Sequence, residues 1–468
     1  MAATYLPKRG AAPADGGYDK IHWIVLCVFA VYVVAWFLQV GIRIKWLGAL
    51  RFELILAVSL VLLAMMTPRQ KPGESSNLYA YIAWYYLAVT ITLFYTYDWT
   101  NSWLIYVDRF VKFSFMAFFI VVFVRSPVAL KVFLCAFLFS CLKLGEEGLI
   151  GTITGSLIWE NQGVMRLNGP IPLYAHPNSF SGMALGTLPF ILYLFPLVNK
   201  YGKGLLLMLL AFSLNIILHA GSRTTYIGFL LFLFLMLLRS KSKFKFMAIG
   251  VVITAVALPF IPEQYIERFE SIGGQEKEGH SKEKRMVIIQ DAIQIFIEHP
   301  LGVGVAAFPA VRIKRFGRFQ DTHCLYLEIA TNFGIQGLIV WLLMIIAIYR
   351  NNSRLRAVLQ GQIDRMRARA PPDLDPKSGF ARHIADLRLL HAVMNSVWGY
   401  LSIRLCIGIF GHDTYEIYWW VVLGLTIAVH NMAQVAAKIT QRQLDNPELV
   451  PVVTAPKGRL GSRLPKPV

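Results

Sequence analysis

Runs of about 18 or more mostly apolar residues recur along this chain from near its start almost to its end, and no other feature restricts its fold so tightly. In hydrocarbon, a segment of that length satisfies its own backbone only as a helix. Windows near 21–41, 52–66, 78–95, 107–124, 128–143, 179–198, 204–219, 224–238, 244–261, 325–349, 388–408 and 415–436 are expected spans. The fold class is therefore all-α: a polytopic integral membrane protein with about 12 transmembrane helices. The composition, 56% hydrophobic and 16% charged over 468 residues, departs from the roughly one-quarter charged content of soluble domains. One helical domain over 21–436 follows, rather than the three or so soluble domains that length alone suggests. Lys8, Arg9 and Lys20 before the first apolar run resemble a signal peptide. That run is too long and lacks a small-residue cleavage site, so it is expected to remain as the first span.

Formal net charge is +19, but the basic residues stand in short blocks beside the apolar runs, a pattern of membrane topology and not of nucleic-acid binding. With residues 1–20 cytoplasmic, the connections holding Arg69 and Lys71, Arg125, Lys200 and Lys203, and Arg239 to Lys245 all fall inside. The basic loop 350–388 and the tail 437–468 belong there too; Arg43 and Lys45 fall on the other side. Two long segments, 144–178 and 262–324, then face the extracytoplasmic side. The second is rich in arginine and lysine, either as a solvated surface or as an anion site. Cys27, Cys135, Cys141 and Cys406 lie in expected spans and Cys324 near a surface, without ligand spacing, so no disulfide framework and no metal site is expected.

Several residues in or beside these segments suit chemistry. Arg223 stands in a polar island, His219 to Thr225, between two apolar runs; snorkelling or a paired functional cation both account for it. Arg285 opens an amphipathic run with apolar positions 286, 289, 293, 296 and 297, for which Ser281 is the expected N-cap. This helix would lie on the membrane surface or pack on the bundle. Pro300 stops it, and Gly302 and Gly304 permit a tight turn. Although 302–307 matches G-x-G-x-x-A, a helix precedes it and not a strand, which excludes a dinucleotide site. Asp373-Leu374-Asp375, in a proline-rich cytoplasmic loop, is ascribed to chance. His323 falls at the start of the tenth span, where an imidazole would accept a hydroxyl proton or simply hydrogen-bond a helix start. Tyr326 follows one turn on, and the stretch around Gly334 breaks the helix. In the earlier segment Arg166, His176 and Asn178 would orient a sugar, although turn chemistry also explains Gly169, Pro170, Pro177 and Asn178. Arg404, inside a span, has His412, Asp413 and Glu416 nearby for an internal ion pair.

Together, Ser222-Arg223, Arg285, His299 to Gly304, His323 with Tyr326-Leu327, and Gly334 to Leu338 resemble the O-antigen ligase family over about 165–345, with Arg166, Gly169, Pro177 and Asn178 similar to its upstream motif. The resemblance implies a bacterial inner-membrane glycosyltransferase of the GT-C type. It would move a glycan from undecaprenyl diphosphate to an acceptor on the periplasmic side, without cofactor or metal. It also implies a catalytic set of His323, Arg223 and Arg285, with Arg166, Asn178, His176 and Tyr326 binding substrate. Partners would be the lipid-linked glycan donor, lipid A core or a growing glycan as acceptor, and membrane lipid. Ligases of this family usually have asparagine after the histidine; here it is Cys324, which bears on the acceptor class. A surface-polysaccharide polymerase or a protein O-oligosaccharyltransferase are readings within the family. A secondary transporter is the reading outside it, though little repeat symmetry supports it.

Overall fold

The computed structural model describes residues 17–68, 75–161, 164–240, 281–372, 374–411 and 414–446, and a few isolated positions between 242 and 266. The expected span 244–261 lies outside the described residues apart from Phe244, Met247 and Ala248, and Arg268, Asp373, His412, Asp413 and most of the tail lie outside them altogether. Every other expected span falls on a helix. The helices are α1 (Trp23–Leu38), α2 (Val40–Arg43), α3 (Lys45–Ala49), α4 (Phe52–Met66), α5 (Leu78–Leu93), α6 (Trp99–Ile105) and α7 (Lys112–Phe123). They continue as α8 (Pro127–Thr154), α9 (Pro177–Leu194), α10 (Lys200–His219), α11 (Arg223–Arg239), α12 (Ser281–Glu298), α13 (Phe308–Phe316), α14 (Leu325–Arg369), α15 (Gly379–Ile407) and α16 (Ile417–Asp445). Among the described residues, α8, α9 with the turn after it, α10, α14 and α16 are long and apolar enough to cross a membrane, and α1, α4 and α5 are shorter apolar helices.

Local sequence sets the helix starts. Ser126, Asn199, Ser222 and Ser378 each accept a backbone N–H of the turn they precede, the cap chemistry their short polar side chains provide. Pro127 and Pro177 stand at first helical positions, where a missing N–H costs nothing. Across the bundle, small residues let neighbours close in: Gly186 faces Tyr400, Gly228 faces Ile407, and Gly424 faces the backbone of Ala117. The core is densely aromatic, with Phe29, Phe119, Phe123, Phe133 and Trp341 fully buried.

The structure departs from three of these expectations and adds a contact to a fourth. The stretch 350–388 is not a loop: α14 runs on to Arg369 and α15 begins at Gly379. Leu355, Leu359, Ile363 and Met366 bury one face of the α14 extension, a helical stripe that holds it against α15 and α16. Asn352 donates to the Met394 carbonyl at 2.8 Å, and His383 meets the Thr440 hydroxyl at 2.8 Å. In 144–178, α8 continues as far as Thr154. Beyond that helix the chain adds a small antiparallel hairpin to the all-α design: β1 (Ile158–Asn161) pairs with β2 (Val164–Leu167), Trp159 opposite Arg166. On α12 the buried residues are Ile288, Asp291, Ala292 and Ile295, while the expected apolar stripe keeps Met286, Ile293 and Ile297 exposed. The helix therefore packs on the bundle and turns a second apolar face outward. It starts at Ser281, so the residue expected to cap it stands inside the first turn instead of before it. Finally, Arg43 forms a two-point ion pair with Glu147 of α8, at 2.6 and 2.8 Å, so the basic residue on the unexpected side is neutralised locally.

Candidate active site

The chain between α12 and α14 is locked to a break inside α14. At Gly334 the backbone takes φ 69° and ψ −172°, a region essentially open to glycine alone. Val303 and Gly304 N–H donate to the Thr331 and Asn332 carbonyls at 2.8 and 3.0 Å, and Ile335 N–H donates to Pro300 at 2.9 Å. The peptide groups released by the break are thus satisfied by the loop. The segment after α5 clamps the same loop: Tyr95 donates to Leu301, Ser102 to Val305 and Asn101 to Ala306. Tyr97 N–H donates to Val303, and Tyr415 accepts Ala306 N–H. Below it, Ala292, Ile295, Val303, Ala307, Phe308 and Val311 form a separate small core.

His323 comes after α13 and immediately precedes the cap of α14. It is half-buried with φ +50°, an uncommon conformation for a side-chain-bearing residue. The side-chain amide of Gln320 lies within hydrogen-bond distance of its Nε2, at 2.9 Å. The next turn is fixed by backbone and buried groups. Leu325 N–H donates to Gly408 at 2.7 Å, and the Tyr326 hydroxyl donates to the Leu405 carbonyl at 2.8 Å. Buried Glu328 accepts both the N–H and the hydroxyl of Thr414. The last turn of α15 is therefore bound to the start of α14.

The same last turn touches α11, where Gly228 lies against Ile407. Arg223, first residue of α11 and half-buried, stands little more than a turn along the helix from that contact. Ser222 caps the helix, Gly221 takes φ +55° before it, and the hydroxyls of Ser181 and Thr225 join α9 to α11 at 2.7 Å. The positive end of the α11 dipole reinforces the arginine's charge. Arg285 lies in the first turns of α12, half-buried, one turn before the buried face begins at Ile288.

The upstream candidates gather beside Arg223. Arg166 is almost fully enclosed; its Nε donates to the Ala220 carbonyl and its Nη2 to Asn178 Oδ1, both at 2.7 Å. It braces the hairpin against the α10–α11 turn and the start of α9. His176 is exposed and its Nδ1 accepts Asn178 N–H at 3.2 Å, the N-cap of α9. The Tyr326 ring packs edge-on against Trp341. Arg404, buried, donates to the Tyr400 hydroxyl and the Gly182 carbonyl and lies 3.9 Å from the Tyr418 ring centroid. Much of the loop's positive charge is paired: Asp291 binds Arg312 at 2.9 Å and Arg318 at 3.3 Å, and Glu298 binds Arg315. Sequence reasoning missed Tyr95 to Ser102, Glu328 and Asp291. For Asp291, its place among apolar residues of an amphipathic helix was a usable signal.

No curated protein matches the chain. A family model does match part of it, and the matched stretch runs from α10 into α14, taking in Arg223, Arg285, His323 and Tyr326 but not the hairpin or α9. The likeness first read from motifs is thus shown for residues 207–342, which match the family model described as O-Antigen ligase.

Proposed function

We propose that the protein transfers a glycan from undecaprenyl diphosphate to an acceptor hydroxyl on the periplasmic side of the bacterial inner membrane, with lipid A core as the acceptor. The observation that carries this reading is half-buried His323 at the start of α14, bound through Leu325 and Tyr326 to the same last turn of α15 that meets α11 near Arg223, within the stretch similar to O-antigen ligases. In a single displacement, the acceptor oxygen attacks the anomeric carbon from the face opposite the diphosphate, inverting it. His323 takes the hydroxyl proton, for which an imidazole is suited near neutral pH. Charge builds on the departing diphosphate, and arginine meets such oxygens in a two-point fashion. Arg223 and Arg285 fill that role. Arg166, Asn178 and His176 hold the flank of the site beside Arg223, and Tyr326 holds the turn after His323. No step in this scheme needs a metal.

The test is transfer by purified protein in lipid, with an undecaprenyl-diphosphate glycan and lipid A core. The parent should release lipid diphosphate and form the core conjugate, and His323→Ala, Arg223→Ala and Arg285→Ala should not. Growth of the lipid-linked glycan without conjugate would make the protein a polymerase, and Cys324 in place of the ligases' asparagine makes that the reading to set against it. Full activity in all three variants would overturn the site.

A further inference from the structure

At the end of the bundle opposite His323, the ends of α9 and α11 and the arms of α14 and α15 enclose a cavity of about 520 Å³. Its floor includes Met236, Ile363 and Ala392, all buried. Its rim carries three guanidinium groups from three helices: Arg239 of α11, Arg367 of α14 and Arg388 of α15. No carboxylate lines it. Among the described residues, none of the three arginines is in an ion pair. Asp364, one turn from Gln360, instead accepts the Gln360 amide at 2.8 Å.

The rim is held in shape. Arg239 Nη2 donates to Asn395 Oδ1 at 2.7 Å, and its guanidinium stands 4.5 Å from the Trp398 ring centroid. Arg356 reaches the same ring at 5.4 Å, and its Nε is buried without a hydrogen-bond partner among the described residues. Burial and then the charge of Arg239 lower the pKa of Arg356. Arginines that serve topology alone need only be on the correct side of the membrane. Drawing three of them around one concavity sets like charges together, an arrangement that an anion would relieve. The cavity is lined by residues at the ends of the expected spans 179–198, 224–238 and 388–408, and Leu192 on its wall is 43% exposed, offering a path for an acyl chain.

We propose that this cavity binds the headgroup phosphate of an anionic phospholipid from the leaflet at that end, tying the α14–α15 arms to α9 and α11. Basic pockets between spans suit such headgroups, and planar guanidinium forks suit phosphate oxygens. The inference is independent of the transfer reaction.

The experiment tracks thermal unfolding of the full chain in neutral detergent against added phosphatidylglycerol, phosphatidylcholine or inorganic phosphate. Phosphatidylglycerol should raise the midpoint saturably, and phosphatidylcholine should not. Arg367→Gln or Arg388→Gln should weaken the apparent affinity about fivefold each, with Arg365→Gln, an exposed arginine outside the cavity, leaving it unchanged. An equal response to phosphatidylcholine, or parent-like affinity in the Arg367→Gln/Arg388→Gln double variant, would overturn the site. The same loss in Arg365→Gln would reduce it to general charge. A full shift with inorganic phosphate alone would replace the lipid with free phosphate.

Discussion

Replacing Gly334 with alanine puts the lock around the site under a measurable load. The residue sits at φ 69° and ψ −172°, and holding any other residue there costs about 1–3 kcal/mol. A Cβ would also press on the Leu301 carbonyl and come within 2.7 Å of Gly302 N. Both are backbone atoms pinned by hydrogen bonds on either side, so relief means moving the loop; overpacking of this kind costs about 1–3 kcal/mol more. The expected loss is about 2–6 kcal/mol, the sum of those two ranges. Two other glycines separate the contributions. Gly155, at φ +72° with nothing within 4 Å of a Cβ, carries only the backbone part, about 1 kcal/mol. Gly361, inside a helix and equally open, should gain about 0.5–1 kcal/mol as alanine. Thermal unfolding of the three variants in detergent should rank Gly361→Ala above the parent, Gly155→Ala slightly below it, and Gly334→Ala far below. A midpoint for Gly334→Ala equal to that of Gly155→Ala would refute the claim that the loop is rigidly held against the break.

His323→Gly, which suits φ +50°, should unfold at or above the parent midpoint yet lose transfer at least about a hundredfold; activity and stability falling together would make the residue structural. Asp291→Asn leaves Arg312, 3% exposed, without its charge partner and should cost about 3 kcal/mol, visible as a lower midpoint and faster proteolysis between α12 and α13. Burial holds the His383 imidazole down to about 4 from the usual 6.5. The unfolded chain therefore binds the extra proton between those values, so this residue's contribution to stability rises with pH from 4 to 6.5 and is level above. His383→Gln should flatten that part of the unfolding midpoint's pH profile, and an unchanged slope would show the imidazole to be reachable by water.

The spans were legible because a bilayer demands long apolar runs, and their starts because serine, asparagine and proline act locally. The arm 350–388 was hidden by its arginines: the stripe Leu355, Leu359, Ile363 and Met366 is only one residue wide per turn, and a search for apolar windows passes over it. On α12 the periodicity was real but ambiguous, because a helix with two apolar faces does not say which is turned inward. The hairpin has strands of four residues each, too short for an alternating pattern to stand out. As candidates, Arg223 and His323 could be picked out from polarity at span ends, and Arg285 from the amphipathic run it opens. That Arg166 is enclosed as a brace could not, because its acceptors come from the start of α9 at Asn178 and from the α10–α11 turn at Ala220. The clamp from Tyr95 to Ser102 left no local trace, since each bond joins ordinary residues about two hundred positions apart.

That separation imposes an order on assembly. At a synthesis rate of about 5–20 residues per second, the segment after α5 leaves the ribosome roughly 10–40 s before the loop it clamps exists. During that interval Tyr95, Asn101 and Ser102 have none of their final carbonyl acceptors on Leu301, Ala306 and Val305. The break at Gly334 arrives later still, and only then can the loop be held from both sides. A nascent chain halted at residue 298 would contain α1 to α12 yet no closure around the position of His323, so the candidate site takes shape only after most of the bundle has been made.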